Sequence, residues 1–369
     1  MGYGIEFDIF HLADDMGPEL IVYMSDINTG LKAILVVDNT AAGPAMGGIR
    51  MSPEVTTVEV ARLARAMTLK NAMARLPYGG GKSGIIADPA LPEKEALIRA
   101  FARKIRHIIE YIPGPDMGTS ETEMAYIRDE IGRAVGLPGV VGGIPLDEIG
   151  STGFGVAISA EIAAEFIDLD LKSARLTVEG FGAVGKHTAR FLTRKGVVLI
   201  ATSDSKGTIY NPGGLDVEEL IKVKKSTGSV LNYRDGEKLH TSDLLNISTD
   251  IFVPAARPDV ITESNADALD AKLVIEGANI PATLEAENQL FERGVLCVPD
   301  FVANAGGVIT ASVEYLGGTE RQAFEKIELT IKNNTREVLE LSRKEAITPR
   351  KAAESIARHR VSKAMTYRK

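Results

Sequence analysis

Between residues 174 and 204 the chain reads as a strand, a glycine turn, a helix and a second strand, an order that leaves few folds open. Ala174-Arg-Leu-Thr-Val-Glu179 runs into Gly180-Phe181-Gly182-Ala183-Val184-Gly185, a G-x-G-x-x-G turn. A helix over Lys186–Lys195 and a strand over Val197–Thr202 follow. Glycines at these three places allow a tight turn, the approach of a pyrophosphate to the backbone, and close packing of helix on strand. Asp204, nineteen residues after Gly185, ends the second strand, where an acid can hold the adenosine ribose hydroxyls. A bare glycine pattern is weak evidence, but here strand, helix and acid accompany it. The alternative is a tight α/β turn that binds nothing.

Further strands are expected at Asp250–Pro254, Lys272–Glu276 and Gly294–Val298. Each ends in small or polar residues: Ala255-Ala256, then Gly277-Ala278-Asn279, then Asp300 through Asn304. Ligands of doubly wound sheets bind at such carboxyl ends. A helix begins near Gly306, and helices fill the chain to about Ala364. Upstream, Gly139-Val-Val-Gly-Gly-Ile-Pro145 is the best boundary between domains, with a helix over Thr152–Asp168 after it. The expectation is an α/β protein of two domains: residues 1–145, and a Rossmann-type, doubly wound dinucleotide-binding domain over 146–334. The last helices, about 335–369, are expected to pack back on the first domain.

Within the first domain, Leu31–Asp38 reads as a strand, Val55–Leu76 as a long helix, and Ile85-Ile86 as another short strand. Lys94–Tyr111 reads as a helix stopped by Pro113-Gly114-Pro115. Ser120 and Glu123 form a capping box for a helix reaching about Val135.

A length of 369 residues suits two domains better than one core. The formal net charge of −8 argues against nucleic acid, which calls for a basic face. No apolar run approaches a membrane span. The N-terminus lacks the order of a signal peptide, and Glu6 stands where myristoylation wants Ser or Thr. The single cysteine, Cys297, lies in an apolar run and excludes an internal disulfide. The five histidines have no ligand spacing, so no metal site is expected. A cytoplasmic enzyme is the default.

Two lysines carry the chemistry of the first domain. Lys70 follows the stripe Val60, Leu63, Ala64, Met67 and projects from the apolar face. Either it snorkels to water, or it belongs to an anion site. Twelve residues on, Lys82 follows Gly79-Gly80-Gly81, read as a tight turn that a ligand can approach. Crowding by another cation and loss of water lower a lysine's pKa and make it a base near neutral pH. Asp116 lies in a loop just outside a helix N-terminus, which keeps an acid ionised; the plainer reading is an accessory cap.

Together these segments resemble the glutamate/leucine/phenylalanine/valine dehydrogenase family. The resemblance runs from Gly43 to about Tyr315. It rests on Gly43-Pro-Ala-Met-Gly-Gly-Ile-Arg50, Leu76-Pro-Tyr-Gly-Gly-Gly-Lys82, Gly114-Pro-Asp-Met-Gly-Thr119 and Val178-Glu-Gly-Phe-Gly-Ala-Val-Gly185. Ile275-Glu-Gly-Ala-Asn-Ile-Pro-Ala-Thr283 and Ala303-Asn-Ala-Gly-Gly-Val308 complete it. It implies that the first domain binds substrate and makes the subunit contacts of a homo-oligomer, a hexamer or octamer. It implies reversible oxidative deamination of an L-amino acid to the 2-oxo acid and ammonia. In that scheme Lys70 anchors the substrate α-carboxylate, Lys82 polarises water and the imino carbon, and Asp116 exchanges protons with the amino group. Thr152, Asn279 and Asn304 hold the nicotinamide end or the substrate. Gly180, Gly182, Ala183, Val184, Gly185, Asp204 and Ala255 make the rest of the coenzyme site.

Glutamate dehydrogenases that resemble this chain carry a lysine where Met46 stands and a serine where Ala311 stands. Met46, Gly114, Val308 and Ala311 therefore suggest an apolar pocket for a leucine- or valine-like side chain. Leu76–Lys82 and Ser203-Asp-Ser-Lys-Gly207 read closer to the glutamate branch, so glutamate is the alternative. Asp204 favours NAD; Lys206 could offset its repulsion of a 2′-phosphate, which leaves NADP open. A nicotinamide oxidoreductase of another class would more naturally use a histidine base. A non-catalytic nucleotide sensor would be expected to lose Lys82 or Asp116.

Overall fold

The computed structural model describes residues 9–368, so the N-terminal residues read above for targeting signals lie outside the described residues. The chain divides into two compact units. The first comprises residues up to Pro145 together with Ala311–Thr319 and Ala357–Lys369; the second comprises Leu146–Thr310 and Glu320–Ile356.

The first unit is built on a five-stranded sheet. Its strands are β1 (Leu20–Asp26), β2 (Leu31–Asn39), β3 (Ala45–Met51), β4 (Gly79–Ile85) and β5 (Tyr111–Pro115). Their spatial order is β1-β2-β4-β3-β5, with β4 central, antiparallel to β2 and parallel to β3. Helix α1 (Thr57–Met73) covers one face; α2 (Lys94–Lys104) and α3 (Glu121–Ile131) belong to the other. Ile49, Ile85, Phe101, Tyr111 and Met124 make the larger core, and Ile34, Val36, Val60 and Ala64 make the core under α1.

The triple glycine is strand, not turn. Gly79, Gly80 and Gly81 are buried in β4, and none of the three has a positive φ. Their small size serves close approach. A Cβ on Gly80 would strike the backbone of α1 at Ala64 and Thr68, and one on Gly84 would lie 2.8 Å from Val60. Gly80, Lys82 and Gly84 share a face by strand alternation. The helix therefore sits directly on β4, and Lys82 is the side chain that points toward it.

Three other expectations shift for similar reasons. The buried stripe of α1 is Val60, Ala64, Thr68 and Asn71, while Leu63 and Met67 are only half-buried, because the glycine strand admits small residues best. Helix α2 ends at Lys104, and Pro113-Gly114-Pro115 lies in the edge strand β5, a place that tolerates proline. Helix α3 keeps its capping box but stops at Gly132, which takes a φ of +76°.

The second unit begins with α4 (Leu146–Ile149) and α5 (Ser151–Phe166). There follow β6 (Arg175–Glu179), α6 (Ala183–Thr193), β7 (Val198–Asp204), β8 (Gly207–Tyr210), α7 (Val217–Thr227) and β9 (Glu237–Leu239). Next come β10 (Ile251–Pro254), β11 (Leu273–Ile275), α8 (Leu284–Glu292), β12 (Leu296–Val298) and α9 (Asp300–Ala303). The sheet order is β12-β11-β10-β6-β7-β8-β9, parallel from β12 to β7, with β8 and β9 antiparallel. This is the doubly wound arrangement, and its order reverses between β6 and β10. The last helices are α10 (Gly306–Tyr315), α11 (Glu320–Glu345) and α12 (Pro349–Met365). Helix α5 packs against α11 and α6; a Cβ on its Gly155 would meet Ile331 at 2.5 Å.

Candidate active site

In the first unit, β4 and the turn after β5 bring Lys82 and Asp116 together. Lys82 Nζ lies 3.0 Å from Asp116 Oδ2, with the lysine side chain 7% and the aspartate 19% exposed. The turn is locked by its own chemistry. The Asp116 amide donates to Thr119 Oγ1 at 3.0 Å, and Thr119 Oγ1 donates to the Ile49 carbonyl at 2.8 Å. Gly118, at φ +81°, passes so close to Met51 that no side chain would fit. Gly48 lets Asp116 approach β3, since a Cβ there would come within 2.7 Å of the Asp116 Cβ.

A second cation meets the same carboxylate. Arg50 Nε donates to Asp116 Oδ2 at 2.9 Å, and Arg50 NH1 donates to Glu59 Oε1 at 2.6 Å. Burial pushes the Lys82 ammonium below its usual pKa; the positive charge of Arg50 adds to that, and Asp116 opposes it. Burial alone would raise Asp116. The charges of Lys82 and Arg50, with a hydrogen bond from each, outweigh it and hold the carboxyl below its ordinary value. The cation crowding Lys82 is thus Arg50, which the glycine-rich motif contains but spacing alone does not single out.

Lys70 is half-buried in the last turn of α1. Met46 is buried in β3, 2% exposed, directly across from Gly80 of β4 and therefore on the α1 side of the sheet. Gly114 pairs with Gly48, and a Cβ on it would meet Val135 at 3.1 Å. Ala311 is buried, whereas Val308 is half-buried. Glu314 was not foreseen: its buried carboxylate accepts from the amides of Leu137 and Ile144 and so pins both sides of the glycine connector.

In the second unit the glycine turn lies at the reversal of strand order. Gly180 takes φ +87°, and a Cβ there would overlap Ala256. A Cβ on Gly185 would strike the Gly180 carbonyl, so this glycine serves helix–strand packing. Gly182 faces open space at the N-terminus of α6, beside Ala183 and Val184, where backbone amides can receive a pyrophosphate. Gly277, Val184 and Ala255 converge, with a Cβ on Gly277 3.2 Å from Val184 and 3.3 Å from Ala255. Asn304 Nδ2 donates to Asn279 Oδ1 at 3.0 Å and to the Gly277 and Ala278 carbonyls at 3.2 Å. Its own Oδ1 is buried and has no hydrogen-bond partner among the described residues, an acceptor suited to a carboxamide. Thr152 Oγ1 lies 3.1 Å from where a Cβ on Gly307 would stand. These residues fit a dinucleotide.

Asp204 ends β7, but its carboxylate is turned into the protein and only 6% exposed. It accepts from the amides of Lys206 at 2.9 Å and Val230 at 2.8 Å and from Ser229 Oγ, with Lys224 Nζ 3.7 Å away. Its oxygens take part in building the loop. Below the loops, Arg350 of α12 binds Glu276 at 2.9 Å and Asp300 at 3.1 Å and also pairs with Glu287. Asp300 Oδ2 accepts from the Ile280 amide at 3.0 Å, so this buried cluster ties together the segments that carry Asn279 and Asn304. No spacing rule finds a partner so distant in sequence.

The pattern described as "Glutamate/Leucine/Phenylalanine/Valine dehydrogenase" matches residues 142–369, and "Glu/Leu/Phe/Val dehydrogenase, dimerisation domain" matches residues 19–133. The chain belongs to the glutamate/leucine/phenylalanine/valine dehydrogenase family. It is an amino acid dehydrogenase that uses NAD or NADP in reversible oxidative deamination. It is 42% identical over 354 residues to a glutamate dehydrogenase of Aeropyrum pernix, covering 89% of this chain and 85% of that one. It is 41% identical over 293 residues to an NADP-specific glutamate dehydrogenase of Saccharolobus shibatae, covering 75% and 69%. Among solved structures, the leucine-bound hetero-hexameric glutamate dehydrogenase of Thermus thermophilus superposes with a TM-score of 0.86 at 30% identity, covering 95% and 90%. No helix among the described residues is long and apolar enough to cross a membrane.

Proposed function

We propose that this dehydrogenase oxidises L-glutamate to 2-oxoglutarate and ammonia, with Lys82 and Asp116 doing the proton work. The observation that carries the mechanism is the 3.0 Å pair between a nearly buried lysine and Asp116. A lysine disfavoured as a cation by burial gives up its proton more readily than a free one and can act as a base. Lys70 holds the substrate α-carboxylate. Asp116 takes a proton from the substrate ammonium before the hydride leaves; once the substrate is an iminium, Lys82 takes a proton from the attacking water, and Asp116 returns its proton to the departing amine. The nicotinamide, when bound, supplies the hydride acceptor. Thr152, Asn279 and Asn304 hold its carboxamide end, and Gly180 to Gly185 hold the pyrophosphate. The first unit takes the substrate and the subunit contacts, the second takes the coenzyme, and the protein works in the cytoplasm.

Glutamate is favoured by the names of the relatives. A second reading, leucine or valine, is favoured by Met46 and Ala311, which offer neither cation nor hydroxyl to a side-chain carboxylate. Leaving that carboxylate buried and unpaired would cost about 3–5 kcal/mol. A competitive assay of wild type with glutamate, leucine and valine decides between them. Glutamate should be consumed first, and Lys82→Ala should consume none while still binding coenzyme. Preferential loss of leucine or valine would establish the second reading, and Met46→Lys with Ala311→Ser should then move the preference toward glutamate.

A further inference from the structure

Arg50 approaches Asp116 as closely as Lys82 does, and on the same oxygen. Its Nε is 2.9 Å from Oδ2 against 3.0 Å for Lys82 Nζ. The guanidinium is itself fixed by Glu59 in the first turn of α1, through NH1 at 2.6 Å. The two cations differ in kind. A guanidinium keeps its proton at any working pH, whereas a desolvated ammonium gives its proton up. In a bare lysine–aspartate pair, loss of the lysine proton would strand a mostly buried carboxylate without a counter-charge, which is strongly unfavourable. Such a pair would hold its proton far into the alkaline range.

We propose that Arg50, anchored by Glu59, is a positioning residue of the reaction: a permanent cation that remains as the partner of Asp116 whenever Lys82 gives up its proton. This rests on the reading of Lys82 and Asp116 as the proton-transfer pair. The charged groups that act on the pair are Arg50 from β3 and Glu59 from α1; the buried Tyr111 hydroxyl of β5 donates to the Gly47 carbonyl at 2.8 Å. Burial pushes the Tyr111 hydroxyl's pKa up, so it stays uncharged. Arg50 lowers the pKa of Lys82 and Glu59 raises it. The sign is therefore fixed: removing the Arg50 charge makes Lys82 hold its proton to higher pH, and the rising limb of kcat/KM moves upward.

The experiment records kcat/KM for deamination against pH in wild type, Arg50→Lys, Arg50→Gln and Asp116→Asn, with thermal midpoints and coenzyme affinity measured alongside. Arg50→Gln should shift the rising limb up by at least about one pH unit, which is about a tenfold loss at neutral pH recovered on the alkaline side. Arg50→Lys, which keeps a charge, should stay within about half a unit of wild type. A rate loss equal at every pH, with the limb in place, would mean that Arg50 is merely structural and would overturn the proposal. If the glutamine variant does not fold, Arg50→Lys carries the test, and a shift of a full unit there overturns it. Near-normal turnover by Asp116→Asn would instead remove the reading of the pair itself.

Discussion

At the scale of single residues, Asp204 shows that an acid at the end of a strand can also build the loop that follows it. Its position after β7 follows the dinucleotide pattern, and its oxygens accept from two amides and a serine hydroxyl, with Lys224 close by. The exposed neighbours Ser205 and Lys206 are left at the strand end, and a lysine there attracts a 2′-phosphate. Lys206→Ala should therefore weaken NADP against NAD by about tenfold in kcat/KM, an ordinary worth of about 1.4 kcal/mol for a hydrogen bond to a charged group. Steady-state rates with both coenzymes check this, and an unchanged ratio would show that Lys206 does not reach the phosphate. Lys82 and Asp116 were legible as residues because their motifs are specific. Arg50 was not, because a β-strand arginine declares its partner only when the turn after a non-adjacent strand is brought beside it.

At the scale of elements, the glycine-rich segments were visible while their conformation was not. Three glycines in a row permit a turn, an extended strand or a ligand loop equally well. What decides for strand is that β2 and β3 pair with both edges of β4, which places it at the centre of the sheet. The glycines then serve α1. Gly80→Ala would press a methyl into the backbone of Ala64 and Thr68, neither of which can yield. It should cost about 3 kcal/mol or more, read as a lower midpoint in urea, and should displace Lys82 enough to reduce turnover. A variant as stable as wild type would mean that α1 can shift away from the sheet. By contrast, α3 was readable from its start: Ser120 and Glu123 cap it as their spacing requires, with the Ser120 amide donating to Glu123 at 2.6 Å. Capping is local chemistry, so local sequence suffices.

At the scale of the whole molecule, the structure divides into a mixed-sheet unit and a doubly wound unit, and the family to which it belongs carries a pattern described as a dimerisation domain over residues 19–133. A hexamer or octamer is what the resemblance implies, and the Thermus relative is hetero-hexameric. Light scattering at micromolar concentration should return a species of six or eight chains, and a monomer would contradict it. The sequence by itself determined the parallel strands of the second unit, the glycine turn and the family, and it named Lys82 and Asp116, which the structure brings together. All of these rest on patterns of a few adjacent residues, where each glycine, cap or strand end does its work locally. Only the tertiary structure decided which charges meet. Arg50 with Asp116, Arg350 with Glu276, and Glu314 with the connector are pairs separated by 66, 74 and 170 residues or more. The strength of such a pair depends on burial and on distances of about 3 Å, and neither exists until the chain has folded.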